Sequence, residues 1–395
     1  MYQQYQKNLR LVFVETILTS IGAGFCVATM TVFWNAIGMN QTDIGFVQMA
    51  FTIVLCLLDI PLGYVADRFN RKVLNIVGDF GVAIVFIFYA FSKNMYMALI
   101  SECLLGAFMA TTNGVDQSFI KYNCDKIDET GNLFKKTNVR VHTLRYVSLL
   151  AVTAIGGLIA KINLRLCVGA SALPYFLGGL IALKVQDFSE KAEVKYRNPL
   201  KDMVHSVKEI VANKKTRLYL MTYVLGKEIT HAQIWVFTPL LMMVGIPVEI
   251  VSMGWILNYL MQTLGGKVSE KMISQKVSQK FAIPVVLEFT WMMILLINTN
   301  IVTVWLFAFN GFVHGMLEGN LVTAVQESAK AEIQTSVVSI AYTGARILYV
   351  PLVYFVNYLG NMKLQWALLG VCVVFLPMCL SCFIALKRLE KKESL

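Results

Sequence analysis

Runs of about 20 apolar, almost uncharged residues recur along the whole chain, and each is long enough to cross a ~30 Å hydrocarbon layer as an α-helix. Hydrocarbon offers the backbone no hydrogen-bond partner, so such runs must satisfy their own N–H and C=O groups, and continuous apolar runs do so as helices. Twelve spans are predicted, over residues 9–36, 46–66, 73–92, 96–118, 142–162, 165–184, 217–241, 248–266, 280–298, 301–325, 336–359 and 364–387. Composition agrees. Hydrophobic residues make up 57% of the chain and Asp, Glu, Lys and Arg only 15%, against about 25% charged residues in soluble domains. The opening MYQQYQKNLRLVFVETILTS has no small-residue cleavage site and runs into a full span, so it is read as the first helix and not as a removable signal.

The net charge of +11 would suit a nucleic-acid binder, but its distribution excludes that partner. With the amino terminus taken as cytoplasmic, Lys93, Lys161, Arg165 and Lys363 fall in outside loops and Arg145, Lys227 and Arg346 within spans; all the other Lys and Arg residues fall inside. That asymmetry predicts a multi-pass protein of the inner (plasma) membrane with both termini cytoplasmic. The eight cysteines are scattered and imply no disulfide framework; Cys379 and Cys382 form a CxxC on an apolar helix and are expected to pack or face lipid. No phosphate-binding Gly loop, nucleophile elbow or HExxH spacing is present, so no enzyme, metal or organic cofactor is expected.

A polar, basic stretch, KVQDFSEKAEVKYRNPLKDMVHSVKEIVANKKTR, separates the sixth and seventh spans. It divides the chain into a six-helix bundle over 1–184, a cytoplasmic linker over 185–216 and a second six-helix bundle over 217–395. Within the linker, Leu200, Met203, Val204, Val207, Ile210 and Val211 follow helical spacing opposite lysines, which predicts an amphipathic helix, either lying on the anionic inner leaflet or solvated. The halves also echo one another. GYVADR at 63–68 and GKVSEK at 266–271 both read Gly, Val, acid, base at the same spacing, each at the end of the second span of its half. Doubled units of this kind are common in transporters, which handle substrate where the repeats face each other.

The pattern Gly63-x-x-x-Asp67-Arg68-x-x-Arg71-Lys72 resembles the signature between the second and third helices of the major facilitator superfamily. The twelve spans, the long central loop and the degenerate second copy at Gly266, Glu270 and Lys271 extend that resemblance over the whole chain. It implies an all-α membrane protein of two six-helix pseudo-repeats that transports by alternating access. The charged cluster would then be a conformational latch. Physically, Gly63 permits close helix approach, Asp67 can accept hydrogen bonds from a neighbouring helix amino terminus, and Arg68, Arg71 and Lys72 hold the turn in the cytoplasm. Two motifs of the superfamily's proton-driven exporters are altered. Glu102 stands where they carry Arg, four residues before Gly106, and their fifth-helix glycine motif is reduced to Ser148, Val152, Thr153, Gly156 and Gly157.

Ionisable groups at membrane depth are costly and point to function. LGKEITHAQ in the seventh span places Lys227, Glu228 and His231 near the midplane. Lys227 and His231 share a face at i,i+4, and Glu228 neighbours His231 at i,i+3. FNGFVHGMLEGN in the tenth span places His314 and Glu318 one turn apart, with Asn310 a turn away. The resemblance implies that the first, fourth, seventh and tenth helices line a central cavity, which would bring both clusters to it. Glu228 with His231 and Glu318 with His314 are the expected proton carriers or substrate contacts, with Lys227 tuning them. Arg346, deep in the eleventh span, would be satisfied by a cavity carboxylate or a charged substrate group. Asp116 and Arg145 are expected to pair; Glu15, Asp59, Asp79, Glu102 and Glu288 are also embedded. Aromatic residues and 19 methionines, as in IWVF at 234–237, suit a pliable apolar pocket or plain helix packing.

Together these features predict a monomeric secondary transporter that uses the proton gradient to export a small organic compound. Two other outcomes stay open: proton-coupled uptake of an anionic or zwitterionic metabolite anchored by Lys227 and Arg346, and a lipid-handling membrane protein.

Overall fold

A computed structural model describes residues 2–68, 71–112, 115–128, 132–186, 207–329 and 334–393. These residues are helical throughout apart from short connections, with no strand among them. In chain order the helices are α1 (Tyr2–Cys26), α2 (Met30–Ala36), α3 (Gln41–Arg68), α4 (Arg71–Ala90), α5 (Met95–Thr112), α6 (Val115–Ile127), α7 (Asn132–Ile162), α8 (Leu164–Ala170) and α9 (Ala172–Ala182). After the linker come α10 (Lys214–His231), α11 (Phe237–Met243), α12 (Val248–Lys271), α13 (Val277–Ile297), α14 (Phe309–Ser328), α15 (Gln334–Met362) and α16 (Leu364–Glu393). Every predicted span falls on one or two of these helices. Most of the linker lies outside the described residues; 207–212 are helical.

Among the described residues, nine helices are long and apolar enough to cross a membrane by themselves. Two that fall short, α10 and α14, are those whose sequences carry Lys227, Glu228, His231, His314 and Glu318. Apolar side chains such as Ile84 on α4, Val286 on α13 and Val373 on α16 are more than 60% exposed, which only a hydrocarbon solvent tolerates over so much surface.

Lipid tails remove the hydrophobic drive between helices, so close backbone approach must hold the bundle together. The chain divides into two compact units. The first comprises Met1–Met39, Ala50–Lys195 and Val248–Met253, and the second Asn40–Met49, Tyr196–Pro247 and Gly254–Leu395. In the first, a Cβ on Gly156 of α7 would strike the Phe25 carbonyl of α1, and one on Gly157 would strike the Ser252 hydroxyl. In the second, Gly311 and Gly315 of α14 lie against the Asn258 and Gln262 carbonyls of α12, and Gly265 of α12 lies against the Phe312 carbonyl. The glycine pair in the reduced exporter motif is thus a packing surface.

The leading helix of each half is interrupted. Between α1 and α2 the chain turns at residues 27–29; after α10 a single 3-10 turn, Ile234–Val236, precedes α11. Pro239 explains the second break, since it has no N–H to give the carbonyl of Trp235 four residues earlier. Gln41 donates to that freed oxygen at 3.0 Å and to Asn357 Oδ1 at 2.5 Å. Both interrupted helices then stop in the same way. Gly38 and Gly245 have φ of +88° and +87°. Met39 N–H reaches back to Trp34 O and Ile246 N–H to Leu241 O, closing the same left-handed glycine cap.

Candidate functional site

The tenth and fourteenth helices pack against each other in the second unit, and their ionisable residues meet. Lys227 Nζ lies 3.3 and 3.4 Å from the two carboxylate oxygens of Glu318. Tyr223, one turn earlier on α10, donates its hydroxyl to Glu318 Oε1 at 3.2 Å. The Lys227 ammonium also sits 4.9 Å above the Tyr342 ring and 5.8 Å from the Tyr223 ring centroid. His314 Nε2 is 4.0 Å from Glu318 Oε2. Lys227, Glu318 and His314 are each 21–29% exposed in their side chains, so the pair is neither sealed nor freely solvated.

The neighbouring hydrogen bonds assign the His314 tautomer. Thr230 gives its single hydroxyl proton to the Lys227 carbonyl at 2.8 Å, so its oxygen must accept from His314 Nδ1 at 2.9 Å. A neutral His314 therefore turns its Nε2 lone pair toward Glu318, and a proton between those two groups has an acceptor on either side.

Glu228 takes a different position. It is 1% exposed, and its Oε2 lies 3.8 Å from His231 Nδ1. His231 is more open and stacks on Tyr349 of α15 with ring centroids 4.3 Å apart. Trp235 donates its indole N–H to the Tyr349 hydroxyl at 2.9 Å. Tyr223, Lys227, His231 and Trp235 thus form one stripe at four-residue spacing, facing Tyr342 and Tyr349 on α15. Arg346 lies half-buried on α15 between those two tyrosines in sequence.

Asn310 belongs to a second, fully buried layer. Its amide donates to Thr230 O at 2.8 Å and to Glu288 Oε1 at 3.1 Å. Gln233 donates to Ile229 O and to the same Glu288 oxygen, and Trp291 donates to Glu288 Oε2. Glu288, on α13, therefore gathers three neutral donors, two of which also hold carbonyls freed where α10 ends.

Lys227 pairs across helices with Glu318, whereas its sequence neighbour Glu228 is held beside His231. Sequence reasoning named both acid–histidine sets, but not Tyr223, Tyr342, Tyr349, Thr230 or Gln233. The four-residue spacing of Tyr223, Lys227, His231 and Trp235 was the available signal. In the first unit, embedded groups are drawn into hydrogen bonds: Trp34 to Tyr89 at 2.6 Å, Tyr89 to Glu102 at 2.9 Å, and Asn75 to Glu15. The side chains of Gly63, Asp67, Arg68 and Asp116 lie outside the described residues, so neither the latch geometry nor the pairing of Asp116 with Arg145 is described. Arg71 and Lys72 are half-buried at the start of α4. Of the second latch copy, Glu270 and Lys271 are exposed and Gly266 touches nothing a Cβ would meet; the tight position is Gly265. Gly266 and Glu270 line a cleft of about 1000 Å³ with Ser269, Asn320 and Glu327. At its edge Glu393 bonds Lys215 at 2.9 Å and raises that ammonium above the usual lysine range.

The major facilitator superfamily model matches residues 12–351. The chain belongs to the major facilitator superfamily. An uncharacterized transporter of this superfamily from Methanocaldococcus jannaschii is 23% identical over 258 residues, which is 58% of this chain and 63% of that protein. A second, from Bacillus subtilis, is 25% identical over 38% of this chain and 90% of its own length. A probable peptide/nitrate transporter of Arabidopsis thaliana is 32% identical over 32% of this chain and 25% of its own. Among solved structures, the nucleoside transporter NupG superposes with a TM-score of 0.79 at 13% identity, covering 96% of this chain and 99% of that one. A bacterial homolog of the human lysosomal transporter Spinster, inward-facing and unoccupied, gives 0.77 at 14% identity, covering 97% of both chains. The superfamily is one of multi-pass membrane transporters, and this chain aligns with less than two thirds of the length of the Methanocaldococcus jannaschii relative.

Proposed function

We propose that this transporter exports a small organic compound in exchange for protons, by alternating access of the halves 1–184 and 217–395 about the linker 185–216. The observation that carries this reading is the Lys227–Glu318 pair with His314 beside it, on helices interior to a membrane protein. A Lys–Glu pair facing lipid would be too costly to keep, so a polar path must reach it. Protonation of Glu318 would release Lys227, and the Nε2 of His314 is placed to deliver or take that proton. Glu228 with His231, one turn along α10, forms the second carrier, and Arg346 balances charge beside Tyr342 and Tyr349. The motif residues Gly63, Asp67, Arg68, Arg71 and Lys72, with Gly266, Glu270 and Lys271, serve as the latch. The protein sits in the inner membrane with both termini cytoplasmic and works as a monomer, with no cofactor beyond the proton gradient.

Purified protein in liposomes, loaded with candidate compounds and given a pH step, tests this directly. Substrate should accumulate on the proton-rich side, and Glu228→Gln and Glu318→Gln should abolish the pH-driven component. Accumulation on the proton-poor side would instead establish uptake by symport, with Lys227 and Arg346 as the anchors of an anionic or zwitterionic metabolite. Undiminished coupled exchange in both variants would overturn the assignment of carriers.

A further inference from the structure

The Lys227 ammonium rests in surroundings that match those of an organic-ammonium receptor: two electron-rich tyrosine faces and one carboxylate. The Tyr342 ring lies 4.9 Å beneath it, the Tyr223 ring is 5.8 Å away, and Glu318 accepts through both oxygens. Tyr223 does two jobs, since its ring faces the cation while its hydroxyl fixes the carboxylate at 3.2 Å. Aromatic faces attract ammonium groups through their quadrupole, most strongly where water is partly excluded. The cage is not closed: Tyr342 is 37% exposed and Glu318 29%. Beyond it, the His231–Tyr349 stack and Trp235 continue the aromatic surface for another two turns.

We propose that Lys227 is a tethered stand-in for the substrate's own cation: the transporter takes organic amines whose ammonium displaces Lys227 from the Tyr223–Tyr342–Glu318 cage while their apolar or aromatic body lies along His231, which Tyr349 backs, and Trp235. This rests on the reading of the second unit's charged stripe as the substrate site. A side chain held on the same helix competes at an effective concentration on the order of millimolar or higher. Small ammonium ions therefore do not evict it, whereas a ring stacked on the open His231 imidazole, 40% exposed, adds the contacts that do. The displaced Lys227 remains beside the site as the group that returns to Glu318 when the substrate leaves, so Glu318 is not left as a lone buried charge between cycles.

Calorimetric titration of the purified full chain in nanodiscs tests this without any transport measurement, using tetramethylammonium as the small probe and benzyltrimethylammonium as the probe with a ring. Lys227→Ala should bind tetramethylammonium at least about tenfold more tightly than the unaltered chain, and adding Glu318→Gln should remove that gain. No gain in Lys227→Ala, or a gain that survives Glu318→Gln, overturns the proposal. Should Lys227→Ala not fold, the unaltered protein decides. Reductive methylation of Lys227, followed by mass spectrometry, should be severalfold faster with benzyltrimethylammonium bound, while Lys215 is unaffected; an unchanged Lys227 rate overturns the proposal. Proton-driven flux of a compound that is not an amine, alongside a negative titration, would leave the transport reading intact and remove only this inference.

Discussion

At the residue scale, each ionisable group in the second unit is distinguished by what it meets across a helix boundary. Glu318 has a cation and a phenol; Glu288 has only neutral donors from Gln233, Asn310 and Trp291. That difference predicts different failures. Glu288→Gln keeps the shape but turns an amide NH₂ toward donors already aimed at the site, leaving at least one buried group unmatched at about 1–3 kcal/mol. It should lower the thermal stability of the purified protein; an unchanged melting temperature would show that Gln233 and Asn310 simply re-pair. Thr230→Val removes the acceptor for His314 Nδ1 while keeping the side-chain volume. It should shift the pH at which proton-driven flux is half-maximal, measured in liposomes, while leaving the fold intact. An unshifted profile would mean that the Thr230 contact does not set the state of His314.

Elements carry the next layer. The interrupted helices are made by different local sequences, yet both end in a glycine with positive φ and the same six-residue backbone loop. A Cβ there meets no neighbour, so the cost of Gly38→Ala or Gly245→Ala is purely conformational, about 1–2 kcal/mol each. The two variants should lower stability by similar amounts and additively, since they lie in different units. At Gly311 and Gly315 the constraint is space. Gly311→Leu should separate α12 from α14 and cost far more, read as loss of monodisperse protein on size-exclusion chromatography; a well-behaved Gly311→Leu would show that the contact with the Asn258 carbonyl is dispensable. The tight glycines are one reason the site holds its distances: they fix α14, and with it His314 and Glu318.

For the whole molecule, the doubled architecture makes a topological prediction that needs no substrate. Reporter fusions near residues 70 and 275 should both read as cytoplasmic, because the superfamily signature and its degenerate copy occupy the same sequence position in the two halves. Reporters on opposite sides of the bilayer would break the repeat and, with it, the alternating-access reading. The match of the superfamily model to residues 12–351 and the superposition on NupG over 96% of the chain support the same architecture independently of the repeat.

Sequence alone determined the apolar runs, the doubling, the superfamily signature and which charges interrupt those runs. Apolar run length and charge position are linear properties, and a bilayer reads them linearly. The partners of those charges were decided only by the tertiary structure. Glu228 and Glu318 look equivalent in sequence, each an acid one turn from a histidine, but the rotation of α10 against α14 gives Lys227 to Glu318 and hides Glu228. Contacts from α15, more than a hundred residues away, supply the tyrosines that turn an ion pair into a cage, and no local pattern encodes which face of one helix will meet which face of another.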